Sequence, residues 1–376
     1  MKFIVSSQLL LKNLQIVSSI VAPNNAMPII QNVLFDVKDN KLSLIATDLE
    51  TTIIIDIALS DCEGEGQVVV PFKIMLDTLK SMPDVPVVFN VKEDYSIEFS
   101  GDESKFSLMG FENTFPEIPV LNDAGSFEIE AKTLSTAISK TLFATGTPDI
   151  RPVMSGVFCE VKPENISFVA TDAHRLVRYR TSSVKAGIEH SMILPPKPLN
   201  TLKSVLSSLD GNVSIHYDEK RVAFVIDSMH VVSKLIEGKY PAYEAVIPQN
   251  NNNTLLVERL PLLQRMRTIT PFASQTAHQI RIKCSENLLG LKTEDDENNT
   301  KGTTSVACHF ENLDGIENFE IGFSSKFLVE MLNNLDTNEV VFKLASPTSA
   351  GLIYPQNEKE TSEDILMLLM PVMLNA

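Results

Sequence analysis

Most of this chain is written in short runs in which apolar and polar residues alternate, each run stopping at Asn, Asp, Gly or Pro, and only a few stretches carry helical spacing. Alternation at period two predicts half-buried strands, so the reading is mainly antiparallel sheet with occasional helices. Short strands are predicted at residues 2–5, 126–130 and 255–257, each running into a helix. In the first helix Leu9, Leu10, Leu14 and Val17 form one apolar stripe, with Lys12 off it. A meander follows at 32–37, 41–46 and 51–59, then a strand at 67–70. Pro71 opens a second helix. Strands at 87–91, 96–100 and 105–109 close the set.

The same order returns twice. Meander strands are predicted at 156–160, 166–170 and 177–181, then a strand at 191–194, a helix at 197–208, and strands at 213–217, 221–226 and 231–237. A third set covers 280–284, 288–293 and 303–309, a helix at 325–335, and strands at 339–344, 351–354 and 365–371. Acidic, Asn-rich stretches at 293–299 and 357–364 read as exposed loops.

The wording repeats as well as the order. Phe168-Val169-Ala170-Thr171-Asp172 lies 124 positions after Leu44-Ile45-Ala46-Thr47-Asp48, and Pro195-Pro196-Lys197 lies 124 after Pro71-Phe72-Lys73. Leu199-Asn200-Thr201-Leu202-Lys203-Ser204 matches Leu76-Asp77-Thr78-Leu79-Lys80-Ser81, and Tyr240-Pro241 matches Phe115-Pro116. A fainter third copy has Ser325-Lys326-Phe327-Leu328 and Met370-Pro371. A repeat of this length decides architecture before any local feature does. We therefore expect an α+β protein of three tandem domains, 1–122, 123–250 and 251–376, each with two helices packed on antiparallel sheets. The linkers fall at 119–125 and 248–254.

Three like domains carry a geometric consequence. If a head-to-tail dimer supplies six of them, twelve helices can line a closed ring. At roughly 9 Å between helix axes the circle is about 110 Å round and about 35 Å across, leaving a hole of roughly 25 Å, wide enough for a duplex of about 20 Å.

Charge first opposes and then refines this picture. With 48 acidic and 32 basic residues the chain is formally −16, the reverse of the usual nucleic-acid footprint. The six helical segments nevertheless hold a net +8, so the remainder carries −24. A basic lining inside an acidic exterior would hold a phosphate backbone loosely, by counterion release. The four cysteines, Cys62, Cys159, Cys284 and Cys308, have no paired spacing, which fits reduced thiols in a cytoplasm and neither a disulfide frame nor a metal site. No cofactor, signal peptide or membrane span is expected.

Taken together, Met1-Lys2-Phe3, the 28–32 run, Ala46-Thr47-Asp48-Leu49-Glu50, Phe106-Ser107-Leu108, Thr171-Asp172-Ala173-His174-Arg175-Leu176, Tyr240-Pro241 and Met370-Pro371-Val372-Met373-Leu374 resemble, in order and spacing, the bacterial sliding-clamp family, the β subunits of DNA polymerase III. The resemblance spans the whole chain. It implies the DNA clamp fold, a homodimeric ring on double-stranded DNA without sequence preference, and a processivity role without catalysis. It implies as partners the replicative polymerase α subunit, the clamp loader and other proteins carrying a clamp-binding motif.

The partner groove that the resemblance implies lies between the second and third domains. Its residues here are Met154, Thr171, Ala173, His174, Arg175, Leu176, Pro241, Val246, Leu368, Met370, Pro371, Val372 and Leu374. Soft, adaptable Met and Leu side chains suit a site shared by several partners. DNA-facing positions are Asn24, Lys73, Lys80, Lys132, Lys140, Arg151, Lys197, Lys203, Arg265 and Arg267; the ring joint is Phe106 and Leu108 against Phe272. This chain departs from the family at Ala173, where glycine is common, at Asn24, where arginine is, and at Pro148 and Pro152-Val153. Two alternatives stand beside this reading. One is a repeat scaffold that binds only proteins. The other is a hydrolase using Asp172 and His174, with Arg175, as general base and anion clamp and Asp48 or Glu50 as companion carboxylate, although turn capping explains a Thr-Asp pair at two strand ends more simply, and no phosphate-cradling Gly-rich loop or nucleophile elbow is present.

Overall fold

The computed structural model describes residues 1–21, 26–122, 125–316, 318–356 and 362–374. The DNA-facing expectation at Asn24 and most of the expected 357–364 loop lie outside these residues. The first repeat runs β1 (Lys2–Ser6), α1 (Ser7–Val17), β2 (Val33–Lys38), β3 (Lys41–Thr47), β4 (Thr51–Ala58), β5 (Asp61–Glu63), β6 (Gly66–Val70), α2 (Phe72–Lys80), β7 (Pro86–Val91), β8 (Ser96–Gly101) and β9 (Ser104–Met109). The second runs β10 (Gly125–Glu130), α3 (Ala131–Thr141), β11 (Val157–Lys162), β12 (Asn165–Thr171), β13 (Arg175–Thr181), β14 (His190–Leu194), α4 (Pro196–Leu206), β15 (Asn212–Tyr217), β16 (Arg221–Ile226) and β17 (Met229–Lys234). The third runs β18 (Asn253–Glu258), α5 (Arg259–Ile269), β19 (Gln279–Ser285), β20 (Leu288–Asp295), β21 (Thr300–Glu311), β22 (Glu320–Ser324), α6 (Ser325–Asn333), β23 (Glu339–Leu344), β24 (Gly351–Pro355) and β25 (Glu363–Leu369). Each repeat thus contributes two α-helices, and among the described residues no helix is long and apolar enough to cross a membrane.

Contacts gather the chain into two compact units, Met1–Ser135 with Pro195–Leu235, and Thr136–Leu194 with Ile236–Ala376. The first unit holds a five-stranded sheet, β5-β1-β7-β8-β9, and an eight-stranded sheet, β10-β15-β16-β17-β4-β3-β2-β6. The second holds one twelve-stranded sheet, β14-β11-β12-β13-β25-β24-β23-β18-β21-β20-β19-β22. All recorded pairings are antiparallel. Two of them join strands from different repeats: β4 with β17, and β13 with β25. The backbone hydrogen bonds that an isolated repeat would leave open at those edges are made by the next repeat.

Local chemistry explains the element ends. Ser6 caps α1 by accepting the Leu9 N–H at 3.2 Å, and Ser324 caps α6 by accepting that of Phe327 at 3.5 Å. The buried stripe of α1 is Ser7, Leu10, Leu14 and Val17. Leu9 is 43% exposed, contrary to the expected stripe, because Leu10 and Leu14 point to the sheet and Leu9 lies about 100° around the helix from Leu10. The expected loop at 293–299 is also corrected. β20 continues to Asp295, whose carboxylate accepts the Glu297 and Asn298 N–H groups at 3.1 and 3.3 Å, so the acidic run is a capped hairpin turn and not an excursion.

Candidate functional site

The site begins at the turn between β12 and β13, all within the second unit. Thr171 ends its strand with Oγ1 donating to Arg175 O at 2.6 Å and accepting the Ala173 N–H at 3.2 Å. Asp172 Oδ1 accepts the N–H groups of His174 and Arg175, both at 2.9 Å, and its Oδ2 accepts Arg175 Nε at 3.0 Å. Both carboxylate oxygens are therefore engaged in holding the turn. The turn requires Ala173 at φ +74, a left-handed conformation that a β-carbon disfavours.

Arg175 does not face solvent as an anion clamp would. It is 6% exposed, with Nε on Asp172, Nη1 on Glu330 of α6, and Nη2 donating to Phe143 O at 2.9 Å. Its guanidinium carbon lies 4.4 Å from the ring centre of Phe327 and 5.3 Å from that of Phe143. Every edge of the fork is occupied, so Arg175 ties the turn to α6 from beneath. His174 stays exposed above it, its ring 6.3 Å from that of Phe327.

The tail completes the site. Leu368 pairs with Leu176 across β25 and β13, and both are buried in a cluster with Val169, Ile193, Tyr240 and Tyr243. Tyr240 stacks on Phe158 at 4.7 Å, and burial raises the pKa of its hydroxyl. Thr171, Arg175, Leu176 and Leu368 thus form the floor and its supports. Beyond β25 the Met370 N–H donates to His174 O at 2.9 Å, and the Val372 N–H donates to Gly322 O at 2.8 Å. A β-carbon at Gly322 would collide with Val372 O and approach Leu374 Cδ2 to 2.7 Å, so glycine there lets the tail lie on β22, the last strand of the sheet. The tail is pinned by its backbone while its side chains stand out: Met370 is 43% and Met373 75% exposed. Val246 is exposed and Pro241 half-buried.

A cleft of about 310 Å³ opens beside the turn, lined by Thr145, Gly146, Thr147, Ile150, Arg151, Met154, Asp172, Ala173 and His174. Met154, Ala173 and His174 were expected there. Arg151, expected to face DNA, is exposed and also forms part of this wall, its Nη1 3.8 Å from Met154 Sδ. Ile150, 80% exposed, was missed; its signal was a single large aliphatic residue in an otherwise polar loop. Gly322, Phe143, Phe327 and Glu330 were missed too, because their part depends on contacts across long sequence separations.

The expected DNA-facing residues divide. Lys73, Lys80, Lys132, Lys203, Arg265 and Arg267 are exposed on their helices. Lys80 is 3.7 Å from Asp77, Lys132 is 2.7 Å from Asp210, Lys197 pairs with Asp48, and Arg267 donates to Asn333 Oδ1 at 2.6 Å. Lys140 is a correction. It is 7% exposed, and its ammonium donates to Asn334 O at 2.8 Å, at the C-terminal end of α6, and pairs with Asp336. It is engaged as a helix cap and is not free to meet phosphate. Arg259, which was counted toward the helical +8, likewise donates to Thr337 O at 2.7 Å and Leu332 O at 3.3 Å.

At the expected joint, Phe106 and Leu108 are half-buried on β9, the outermost strand of its sheet, with Met109 59% exposed beside them. Phe106 ends an in-register ladder of rings: Phe3 to Phe89 at 4.9 Å, Phe89 to Phe99 at 5.3 Å, and Phe99 to Phe106 at 5.0 Å. In the other unit Phe272 is 43% exposed beside β21, its carbonyl accepting Thr300 Oγ1 at 3.3 Å. Among the described residues no group of three or more His, Cys, Asp or Glu is placed to hold a metal ion.

Three family models match in succession: DNA polymerase III beta subunit, N-terminal domain, over residues 1–121; central domain, over 128–242; and C-terminal domain, over 244–370. Among curated relatives, the chain is 28% identical over 377 residues to the beta sliding clamp of Pseudomonas aeruginosa and 27% identical over 385 residues to that of Synechococcus elongatus, with 100% of both chains covered in each case. Among solved structures it matches the P. aeruginosa sliding clamp (DNA polymerase III subunit beta) with a TM-score of 0.92 at 28% identity, and that of Bartonella birtlesii with 0.90 at 26%, again over 100% of both chains.

Proposed function

We propose, on the premise that this chain belongs to the DNA polymerase III β-subunit family of non-catalytic sliding clamps, that two copies close head to tail around duplex DNA and tether partner proteins through the groove beside the C-terminal tail. The chain is a DNA sliding clamp and processivity factor. It carries out no reaction of its own, in keeping with an Asp172 carboxylate held by two backbone N–H groups and a guanidinium.

The observation that carries the groove reading is the tail. Past β25, Met370 and Val372 are fixed by main-chain bonds to His174 and Gly322, yet Met370 and Met373 keep their side chains turned outward. An apolar segment held open in this way offers ready contact for short apolar peptides, and methionine adapts to more than one sequence. The partners of this reading are the replicative polymerase α subunit, the clamp loader and other proteins with a clamp-binding motif, met in the cytoplasm. DNA is held loosely by exposed Lys and Arg on the helices, without base recognition. The ring joint brings Phe106 and Leu108 of one copy to Phe272 of the other, a small apolar contact that a loader can open.

The test has two arms. Deleting residues 370–376, or changing Met370→Ala, abolishes binding of polymerase and loader while the dimer persists in sedimentation. Undiminished binding by the truncated chain would refute the groove. Retention on circular DNA that is lost on linearisation tests encirclement; equal retention on both forms refutes it.

A further inference from the structure

The repeat that builds the groove builds a second cleft, wholly within the first unit. Thr51 stands opposite Ser233 and Thr52 opposite Val232, as Arg175 stands opposite Leu369 and Leu176 opposite Leu368. The Lys234 N–H donates to Glu50 O at 2.9 Å, the same bond that Met370 makes to His174 O. Phe115-Pro116 takes the place of Tyr240-Pro241. The resulting cleft measures about 370 Å³, within the range of ligand-binding sites.

Its walls are formed in advance and partly apolar. Leu49, Ile118 and Val120 are 43%, 41% and 70% exposed around it. The segment carrying Ile118 and Val120 is anchored, with Arg221 Nη1 donating to Val120 O at 3.0 Å. The decisive difference from the first groove lies at one step of the register: where that groove presents Met370, this one presents Lys234. The Lys234 ammonium is 3.0 Å from Glu50, and the two side chains are 49% and 67% exposed. A solvent-facing pair of that kind exchanges readily for an incoming carboxylate.

We propose that this cleft is a second docking site, which takes an extended peptide of a partner protein with an aliphatic side chain against Leu49 and Ile118 and a carboxylate on Lys234. The choice of peptide as occupant rests on the groove reading above; the acidic requirement comes from Lys234 alone. One chain then offers two differently coded sockets, one that presents Met370 and one that presents Lys234 at the matching step.

Methyl NMR on isoleucine-labelled full chain separates the two, since Ile118 reports the second cleft and Ile150 the first. The probe is the capped peptide acetyl-Leu-Leu-Asp-Leu-amide, titrated to millimolar concentration. The Ile118 methyl is expected to shift, to stop shifting in Leu49→Arg, and to show about threefold weaker binding in Lys234→Glu, recovered when the peptide Asp is replaced by Lys. Leu49 and Lys234 are exposed, and thermal melting checks that each variant folds. An Ile118 methyl that stays still, or that shifts equally in Leu49→Arg, overturns the proposal. A silent Ile150 methyl would instead count against the first groove and leave this result standing.

Discussion

Residues 47–51 and 171–175 follow one backbone path with two sets of neighbours. Leu49 and Ala173 stand at φ +76 and +74. Asp48 Oδ1 accepts the N–H groups of Glu50 and Thr51 at 3.0 and 2.7 Å, as Asp172 does for His174 and Arg175, and in each turn the threonine hydroxyl donates to the residue four positions on. What differs is the cation. Asp48 pairs with Lys197, a side chain 40% exposed, whereas Asp172 pairs with an Arg175 that is 7% exposed and holds Glu330 and Phe143 as well. The same turn is thus a surface pair in one repeat and a buried keystone in the other. Backbone geometry is inherited with the repeat; its structural weight is set by burial.

The sharpest break in this comparison is Arg175→Met. It leaves Asp172 and Glu330 facing each other without their shared cation and should cost about 3 kcal/mol in urea unfolding, with partner binding lost alongside. Lys197→Met, the matching change, should cost under about 1 kcal/mol because water already screens its pair. Removing the turn-capping carboxylates should cost less than Arg175→Met: about 2 kcal/mol for Asp172→Ala and about 1 for Asp48→Ala, the difference being that the pair with Arg175 is buried and the pair with Lys197 is not. Opposite in sign are Ala173→Gly and Leu49→Gly, each expected to add up to about 1 kcal/mol by relieving the left-handed conformation. Equal effects of Arg175→Met and Lys197→Met would dissolve the contrast altogether.

Much of this was legible in the chain. The 124-residue offset announced the turns, the strand order and the tail, because all three depend on local patterning that a repeat copies. Turn capping by Asp172 was legible for the same reason. The places where the reading failed share a cause. Lys140 was assigned outward on residue type, but Asn334 O and Asp336 lie 194 and 196 positions from it, and no local signal marks such partners. Arg175 was placed in the groove without its partner Glu330, 155 positions away. Leu9 was put on the wrong side of α1 because four apolar residues admit two neighbouring stripes, and only the sheet beneath chooses between them. The pairing of β4 with β17 and of β13 with β25 was not foreseen, since alternation specifies a strand's faces and leaves its neighbour open.

The ring ladder from Phe3 to Phe106 has a practical consequence. The chain contains no tryptophan, so Phe106→Trp would place one indole at the exposed end of a stack whose other members are buried. Its emission would then register, free of other indoles, the moment at which another surface covers or leaves that edge, and under the proposed ring joint that surface is a second copy.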